Sequence, residues 1–439
     1  MMDVKITPHE LSGSVNAISS KSVAHRLLIC AALADKPCNL ECDTTSADIM
    51  ATVDCLRELG AHITRTQTGF RVVPIKQRGR HFWMPRAKLD CRESGSTLRF
   101  LLPVICALGT KAALSMGGKL PQRPLSPLYE QLIASGAQIT PQGTVPMMVS
   151  GAMHAGIFRM PGNVSSQYVS GLLMAAPLLS DTLQVVVTEP VESRPYIQLT
   201  INAMQQFGVP VYTERTVEFD QKVTIYTVDG SARYSSPQTA YVEGDWSNAA
   251  FWLCAAALGG NGIAVNQLNL SSAQGDRSIM AALARFGARI SRKGKSALAL
   301  ADHIDACVLD VADFPDLVPP LAVVAALGKG TTQLTRAGRL RLKESDRLQT
   351  VCQGLSALGA TIHIQDDGLV IEGVEQLKGG VVDASNDHRI AMMAALAAVR
   401  CEGDVIIRGA HCVTKSYPHF FEDYAQLGGL VEKIEEVQE

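Results

Sequence analysis

Two sequence patterns alternate along the whole chain, each recurring six times at intervals of about 70 residues. In the first pattern, an amphipathic segment ends in a glycine and leads into a short run rich in Val, Ile and Thr. The pattern predicts a helix whose last turn is closed by a left-handed glycine, followed by a strand. The glycines concerned are Gly60, Gly136, Gly208, Gly287, Gly359 and Gly428.

The second pattern is an apolar segment, rich in Ala and Leu, that opens with small polar residues. A segment that is apolar on nearly every side predicts a buried helix with its polar groups in the first turn. Such a helix must be covered by neighbours all round, so several repeats have to share one core. The buried segments begin near Lys21, Gly95, Ser166, Ser247, Asp316 and His388.

The length of the repeat excludes a stacked array of helix pairs, whose units run about 20–50 residues. Each repeat has room for two helices and several short strands. Six repeats in two groups of three predict two similar domains. The last repeat ends near Gly428, and the run at residues 4–8 predicts an N-terminal strand that completes it.

Composition restricts the class of protein. Of the 439 residues, 47% are hydrophobic and 19% charged, which predicts folded cores, and the net charge of −2 argues against general nucleic-acid binding. The eleven cysteines form no C-x-x-C pair, which predicts reduced thiols in a cytoplasmic protein without a zinc site. We found no signal-peptide-like segment and no apolar run approaching the roughly 20 residues that a membrane span needs.

Several buried segments begin with cations, against the usual placement of acids at helix starts. Lys21 and Arg26 lie in the first turns of the first segment, and His388 and Arg389 open the sixth. A bound anion would remove the conflict with the helix dipole. Six such starts, brought together, predict a cationic cleft.

Each feature also has an ordinary structural interpretation. Ser22, Ser165 and Asp316 suit helix caps, and Gly95 with Ser96 suits a turn. Lys343 and Arg347, four residues apart, suit an exposed ion-pair face of a helix. Arg123 and Lys415 alone would be loop residues. The occurrence of these residues together, at equivalent points of the repeat, favours the anion site.

Ten short segments follow one another between about Lys21 and Pro418: KSVAHR, SGSTLR, QRP, SSQ, SRPY, EGDWS, PD, LKESDR, NDHR and TKSYP. In this order they resemble the 5-enolpyruvylshikimate-3-phosphate synthase family, and LKESDR followed by NDHR is the most specific pair. The resemblance implies an α/β fold of two similar domains, each of three βαβαββ units in an inside-out α/β barrel, with the active site in the cleft between them. The implied domains are residues 1–18 plus 241–439 and residues 19–240.

The resemblance implies transfer of the enolpyruvyl group of phosphoenolpyruvate to the 5-hydroxyl of shikimate 3-phosphate, with release of phosphate and without metal or organic cofactor. The implied protein is a monomer that binds neither nucleic acid nor membrane. The residues implied for shikimate 3-phosphate are Lys21, Ser22, Arg26, Ser165, Ser166, Gln167, Ser193, Tyr196, Asp316 and Lys343. Those implied for phosphoenolpyruvate are Lys21, Gly95, Arg123, Gln167, Arg347, His388, Arg389 and Lys415.

The chemistry requires a base for the hydroxyl and an acid for the methylene carbon. The resemblance assigns the base to Asp316 and the acid to Glu344, with Lys21 as a second acid or base, and the reaction passes through a tetrahedral adduct. Glu93, Ser96 and Arg339 depart from common family choices, which bears on the pocket where glyphosate competes with phosphoenolpyruvate in the family.

Two rival functions fit parts of the same pattern. The related transferase acting on UDP-N-acetylglucosamine often uses a loop cysteine as its acid, and none lies between Met116 and Leu128 here. A non-catalytic phosphosugar-binding protein would keep the cations without needing both Asp316 and Glu344.

Overall fold

The computed structural model describes residues 2–76 and 86–435. The chain divides into two compact units. One, called here the continuous unit, is Lys21–Val242; the other, the split unit, combines Met1–Ser20 with Glu243–Glu439.

The described residues contain two sets of regular elements. The α-helices are α1 (Lys21–Ala32), α2 (Ala47–Glu58), α3 (Gly95–Leu108), α4 (Leu128–Ala134), α5 (Ser166–Ala175), α6 (Arg194–Gln206), α7 (Trp246–Leu258), α8 (Ile279–Phe286), α9 (Val318–Ala326), α10 (Arg347–Ala357), α11 (His388–Ala398) and α12 (Phe420–Gln426). The strands are β1 (Met2–Thr7), β2 (Gly13–Asn16), β3 (Cys38–Glu41), β4 (His62–Arg65), β5 (Gly69–Val73), β6 (Ala87–Asp90), β7 (Ala112–Ser115), β8 (Ala137–Ile139), β9 (Met147–Gly151), β10 (Ile157–Pro161), β11 (Leu183–Thr188), β12 (Tyr212–Glu218), β13 (Gln221–Val228), β14 (Thr239–Tyr241), β15 (Ile263–Asn266), β16 (Arg289–Lys293), β17 (Ser296–Leu300), β18 (Val308–Asp310), β19 (Thr331–Thr335), β20 (Thr361–Gln365), β21 (Gly368–Glu372), β22 (Gly380–Asp383), β23 (Val405–Arg408) and β24 (Leu430–Glu435).

The predicted buried helices are α1, α3, α5, α7, α9 and α11. Every residue of α7 is buried, as its uninterrupted apolar sequence requires. Helix α9 begins at Val318, later than predicted, because Pro319 and Pro320 occupy first-turn positions where a missing N–H costs no helical hydrogen bond. None of the described helices is long and apolar enough to cross a membrane.

The predicted amphipathic helices are α2, α4, α6, α8, α10 and α12. The glycine that follows each has a φ between +77° (Gly208) and +110° (Gly136). Glycine adopts this left-handed conformation without the steric cost that a Cβ would bring. The six predicted C-terminal glycines are therefore confirmed.

Each unit contains three four-stranded sheets in the described residues. In the continuous unit the strand orders are β14-β3-β5-β4, β6-β7-β9-β8 and β10-β11-β13-β12. In the split unit they are β16-β17-β15-β2, β18-β19-β21-β20 and β22-β23-β1-β24. Each sheet joins a parallel pair of strands, connected through a buried helix where the chain is continuous, to an antiparallel pair, and this is the βαβαββ repeat. The antiparallel pair is a hairpin in every sheet except the last, where it consists of β1 and β24.

Strand β1 closes the last sheet of the split unit, as predicted. It lies antiparallel between β23 and β24, with Val4 opposite Ile407 on one side and Lys433 on the other. Val4 and Ile6 are fully buried, whereas Lys5 points to the other face. Both ends of the chain thus contribute to one sheet.

The buried helices pack against one another within each unit. In the split unit α7, α9 and α11 are in mutual contact. In the continuous unit α3 packs on α5, and α1 and α5 both pack on α6. These contacts bring the polar starts of several helices together within each unit.

Candidate active site

Arg26 is buried in the continuous unit among neutral hydrogen-bond acceptors, with 2% of its surface exposed. Its Nε donates to Thr200 Oγ1 at 2.7 Å, and its Nη1 donates to the Ser22 carbonyl at 2.6 Å. Its Nη2 donates to the Tyr196 carbonyl at 2.9 Å. Burial lowers the pKa of Arg26 to about 10. No carboxylate lies within ion-pair distance of Arg26 in the described part of the chain.

Lys21 is the first residue of α1 and forms an ion pair with Asp48 of α2. The Nζ–Oδ2 distance is 2.9 Å, and the two side chains are 16% and 12% exposed. Lys21 is therefore largely buried and paired with a carboxylate rather than solvated. The carboxylate holds the ammonium in place, and an ammonium has three donors to share.

The N-terminus of α3 carries Gly95 beneath the guanidinium of Arg123. Ser94 caps the helix, because its Oγ accepts from the Thr97 N–H at 3.2 Å. A Cβ added to Gly95 would lie 2.8 Å from Arg123 Nη1. Glycine at this position therefore lets the arginine approach a helix N-terminus, an arrangement suited to an anion.

Gln167, at the start of α5, is held by two groups of α3. Its Nε2 donates to Ser96 Oγ at 3.0 Å, and its Oε1 accepts from Arg99 Nη1 at 2.8 Å. Arg99 Nη2 also donates to the carbonyl of Pro124 at 3.2 Å. Arg99 thus ties Gln167 to the loop that carries Arg123.

The predicted serines and tyrosine lie at the starts of α5 and α6. Ser165 caps α5 by accepting from the N–H two residues on, at 3.3 Å, which confirms the capping interpretation. Ser166 is 6% exposed. Ser193 precedes α6 with a left-handed φ of +52°. Tyr196 meets Arg26 through its backbone carbonyl.

Asp316 contacts three cations in the split unit. It lies in a 3₁₀ turn, Pro315–Leu317. Its Oδ1 lies 2.8 Å from Arg347 Nη1 and 3.1 Å from Lys343 Nζ, and its Oδ2 lies 3.5 Å from Arg389 Nη2. The helix-cap alternative for Asp316 is wrong, because the turn has no side-chain cap and the carboxylate turns to the cations.

Arg347 is 1% exposed and binds two further carboxylates. Its Nη2 lies 2.6 Å from Glu344 Oε2, and its Nε lies 2.8 Å from Asp387 Oδ2. The exposed helix face considered for Lys343 and Arg347 is wrong. Lys343 ends a 3₁₀ helix and Arg347 begins α10, so the two meet at Asp316 instead.

Helix α11 begins with His388 and Arg389, as predicted. Its cap is Asp387, which is fully buried and accepts from the Arg389 N–H at 3.0 Å. The protein itself therefore supplies a carboxylate against the cationic helix start.

The side chains of Arg389 and Lys415 extend the cluster. Arg389 Nη1 donates to the Asp316 carbonyl at 3.1 Å, and its Nη2 donates to Ser247 Oγ at 2.6 Å. Lys415 Nζ donates to the carbonyl of Asn386 at 2.6 Å. Within the split unit, the predicted residues from 316 to 389 therefore form one connected set, with Lys415 beside the cap of α11.

Burial and charge act in opposite directions on this cluster. Burial alone would raise the pKa of Asp316, but Arg389, Lys343 and Arg347 together hold it well below its ordinary value. Burial lowers the pKa of Lys343, and Asp316 opposes that shift. Asp316 is thus ionised at neutral pH and can accept a proton, although its cations weaken it as a base.

The described residues contain no group of three or more His, Cys, Asp or Glu side chains arranged to hold a metal ion. The predicted residues of the continuous unit and those around Asp316 in the split unit instead combine hydrogen-bond donors and cations, the groups that bind phosphates and carboxylates.

A family model described as EPSP synthase (3-phosphoshikimate 1-carboxyvinyltransferase) matches residues 6–424. The 3-phosphoshikimate 1-carboxyvinyltransferase of Clostridium acetobutylicum is 41% identical over 434 residues, covering 98% of each chain. The chain belongs to the EPSP synthase family. The Clostridioides difficile protein of the same name is 37% identical over 441 residues and 99% of each chain. The solved EPSP synthase of Acinetobacter baumannii has the same fold, with a TM-score of 0.79 and 24% identity over 99% of this chain and 100% of that one.

The sequence analysis did not predict three residues of this EPSP synthase family member that hold the predicted side chains in place. They are Arg99, Asp48 and Asp387. Arg99 and Asp387 lie inside the segments SGSTLR and NDHR, so charged residues within those motifs were an available signal. Asp48 lies 27 residues after Lys21, and no local pattern connects the two.

Proposed function

We propose that this member of the EPSP synthase family transfers the enolpyruvyl group of phosphoenolpyruvate to the 5-hydroxyl of shikimate 3-phosphate, and that the predicted residues perform it. The observation that carries the residue assignment is the Asp316 cluster, in which one carboxylate meets Lys343, Arg347 and Arg389. Glu344 forms an ion pair with the guanidinium of Arg347. The cluster combines a proton acceptor, a proton donor and anion-binding groups.

Shikimate 3-phosphate is assigned to Lys21, Ser22, Arg26, Ser165, Ser166, Gln167, Ser193, Tyr196, Asp316 and Lys343. The buried positive charge of Arg26 supports this assignment. Arg26 is a buried cation with neutral partners only among the described residues, so a nearby substrate phosphate would offset its burial. Arg26 also fixes Ser22 and Tyr196, and we propose that it both positions these groups and attracts the phosphate.

Phosphoenolpyruvate is assigned to Lys21, Gly95, Arg123, Gln167, Arg347, His388, Arg389 and Lys415. The contact between Arg123 and Gly95 supports it, because it places a guanidinium at the capped N-terminus of α3. Arginine binds carboxylate and phosphate groups through paired donors. The other assigned cations, Arg347, Arg389 and Lys415, belong to the split unit.

In the proposed reaction, the 5-hydroxyl oxygen forms a bond to C2 of phosphoenolpyruvate while its proton passes to Asp316. Glu344 donates a proton to the methylene carbon, giving a tetrahedral adduct. The adduct then loses phosphate: the C–O bond breaks with its electron pair on the phosphate, which takes the proton held by Asp316. The methyl group returns a proton to Glu344 as the double bond forms. Lys21 is the further acid or base, and the surrounding cations stabilise the negative charge on the phosphate.

Phosphate release with different acceptors tests this function. We expect the native protein to release phosphate from phosphoenolpyruvate with shikimate 3-phosphate, with one enolpyruvyl ether formed per phosphate. Release with UDP-N-acetylglucosamine instead would support the rival transferase. Binding of shikimate 3-phosphate without release would support the phosphosugar-binding protein.

We further propose that the enzyme is a cytoplasmic monomer that needs no added cofactor. All eleven cysteines are free thiols, as expected for a reducing compartment. Light scattering of the purified protein measures its mass, and activity that persists in EDTA would support cofactor independence. A dimer, or activity lost in EDTA and restored by a metal ion, would contradict these points.

A further inference from the structure

Glu189, which directly follows β11, is held by several donors in the continuous unit. Its Oε1 accepts from Thr224 Oγ1 at 2.6 Å, and its Oε2 accepts from the Val191 N–H at 3.0 Å. Arg194 Nη2 lies 2.8 Å from one oxygen and 3.0 Å from the other. The side chain is 24% exposed. A carboxylate with this many partners fixes the groups around it.

The segment that Glu189 fixes leads directly to residues assigned to substrate. Arg194 is the first residue of α6, and Ser193 immediately before it has a left-handed φ of +52°. A serine in this region is strained and needs support from its surroundings. Through its contacts with Val191 and Arg194, Glu189 holds the turn on both sides of Glu192 and Ser193.

The same turn is also attached to the segment before α5. The N–H of Glu192 donates to the carbonyl of Gly162 at 3.0 Å. A Cβ on Gly162 would collide with the carbonyl oxygens of Thr188 and Pro190. The turn therefore packs closely on the segment that leads to Ser165.

We propose that Glu189 is a positioning residue for shikimate 3-phosphate, acting through the turn that sets Ser193 and the start of α6. The inference rests on the proposed function, because Ser193 and Tyr196 are assigned to that substrate. Glu189 need not touch the substrate; its carboxylate orients the turn.

The charge state of Glu189 suits this role. Burial opposes ionisation, but the hydrogen bonds from Thr224 and Arg194 outweigh it and lower the pKa of Glu189 to about 2. The carboxylate is therefore charged at every pH at which the enzyme would be assayed, and the turn is held throughout.

The test replaces Glu189 with glutamine. Glu189→Gln keeps the shape of the side chain but removes the charge and one acceptor. We expect the KM for shikimate 3-phosphate to rise about tenfold, as for the loss of a charged hydrogen bond. The KM for phosphoenolpyruvate and kcat should change little. Equal increases in both KM values would overturn the proposal.

A matched control comes from the same sheet. Glu218 on β12 pairs with Arg159 of β10 at 2.7 Å. Glu218→Gln removes an Arg–Glu pair in the same unit and should leave both KM values unchanged. If both variants raise the KM for shikimate 3-phosphate alike, the effect is general and the proposal fails.

A double variant tests whether Glu189 acts through Ser193. Ser193→Ala should itself raise the KM for shikimate 3-phosphate, and adding Glu189→Gln should then raise it by much less than tenfold. Full additivity would contradict a shared route. Calorimetric binding of shikimate 3-phosphate should show the same pattern in Kd.

Two further results separate this inference from the proposed function. If Glu189→Gln does not fold, Thr224→Val removes the hydrogen bond to the same carboxylate and the acceptor of Arg194 Nη1. This variant leaves the carboxylate charged and should raise the same KM by less; no change would contradict the inference. An active native enzyme in which Ser193→Ala is impaired but Glu189→Gln and Thr224→Val are normal would refute the role of Glu189 alone. An inactive native enzyme would refute the function.

Discussion

At the residue scale, two buried arginines differ in what neutralises them. Arg347 meets three carboxylates, those of Asp316, Glu344 and Asp387. Arg26 has only neutral hydrogen-bond partners in the described chain, and its guanidinium lies over the ring of Phe100. Removing one partner of a buried ion pair is costly, so the surroundings of Arg347 must keep their charges. Arg26 is instead suited to an anion that arrives with the substrate.

Arg123 provides a test at the same scale. We expect Arg123→Ala to raise the KM for phosphoenolpyruvate by about 10- to 100-fold, the range for losing hydrogen bonds between charged groups. The KM for shikimate 3-phosphate should rise far less. Steady-state kinetics with each substrate varied in turn give both values.

Arg215→Ala, which removes an exposed arginine of β12 in the same unit, is the matched control and should behave as the native enzyme. Equal effects of Arg123→Ala on both substrates would count against its assignment to phosphoenolpyruvate.

At the element scale, a chain of buried side chains connects α1, α2 and α3. His25 Nδ1 lies 2.7 Å from Thr52 Oγ1, which lies 2.7 Å from Thr97 Oγ1. Thr97 Oγ1 donates in turn to Ser94 Oγ, the cap of α3, at 2.8 Å. If neutral His25 donates from Nδ1, every hydroxyl in the chain can donate in one direction towards the cap. The three helices are thus joined by polar contacts as well as by packing.

His25, the first residue of this hydrogen-bond chain, makes the stability of the folded protein depend on pH. Burial holds the pKa of His25 well below 6.5, and the charges of Lys21 and Arg26 lower it further. In the described chain its Nε2 has no hydrogen-bond partner, so protonation would add a buried donor without an acceptor. The unfolded chain takes up a proton below about pH 6.5 and the folded chain does not, so stability falls as the pH falls.

We therefore expect the free energy of unfolding to decrease below pH 6.5, by up to about 1.4 kcal/mol per pH unit from this one group. His25→Asn removes the titrating ring, so its stability profile should be flatter between pH 5 and 6.5. Urea unfolding of both proteins across that range measures the difference. Parallel profiles would show that His25 does not titrate as described.

At the scale of the whole molecule, the sequence was most informative about the repeat. Buried and amphipathic helices alternate because their apolar patterns differ, and left-handed glycines such as Gly136 mark the ends of the amphipathic ones. The pairing of β1 with the last sheet also followed from counting units. These features depend on local pattern and length, which a single sequence contains.

The site was predictable only in part. The family motifs predicted Asp316, Lys343 and Arg347 as site residues. The contact among these three side chains, however, depends on a 3₁₀ turn and a helix start that are far apart in sequence. The partner Asp48 could not be foreseen, because its contact with Lys21 is set by packing of α1 on α2. Periodicity predicts which face of a helix is buried and says little about which charged side chain meets it.

The most direct measurement of the central claim is single-turnover phosphate release by Asp316→Asn at saturating shikimate 3-phosphate and phosphoenolpyruvate. Asparagine preserves the size of the side chain but cannot accept the hydroxyl proton. We expect the rate to fall by about 10²- to 10⁴-fold, the range for losing a general base, in a protein that still binds shikimate 3-phosphate. Release at the native rate by the folded variant would contradict the account.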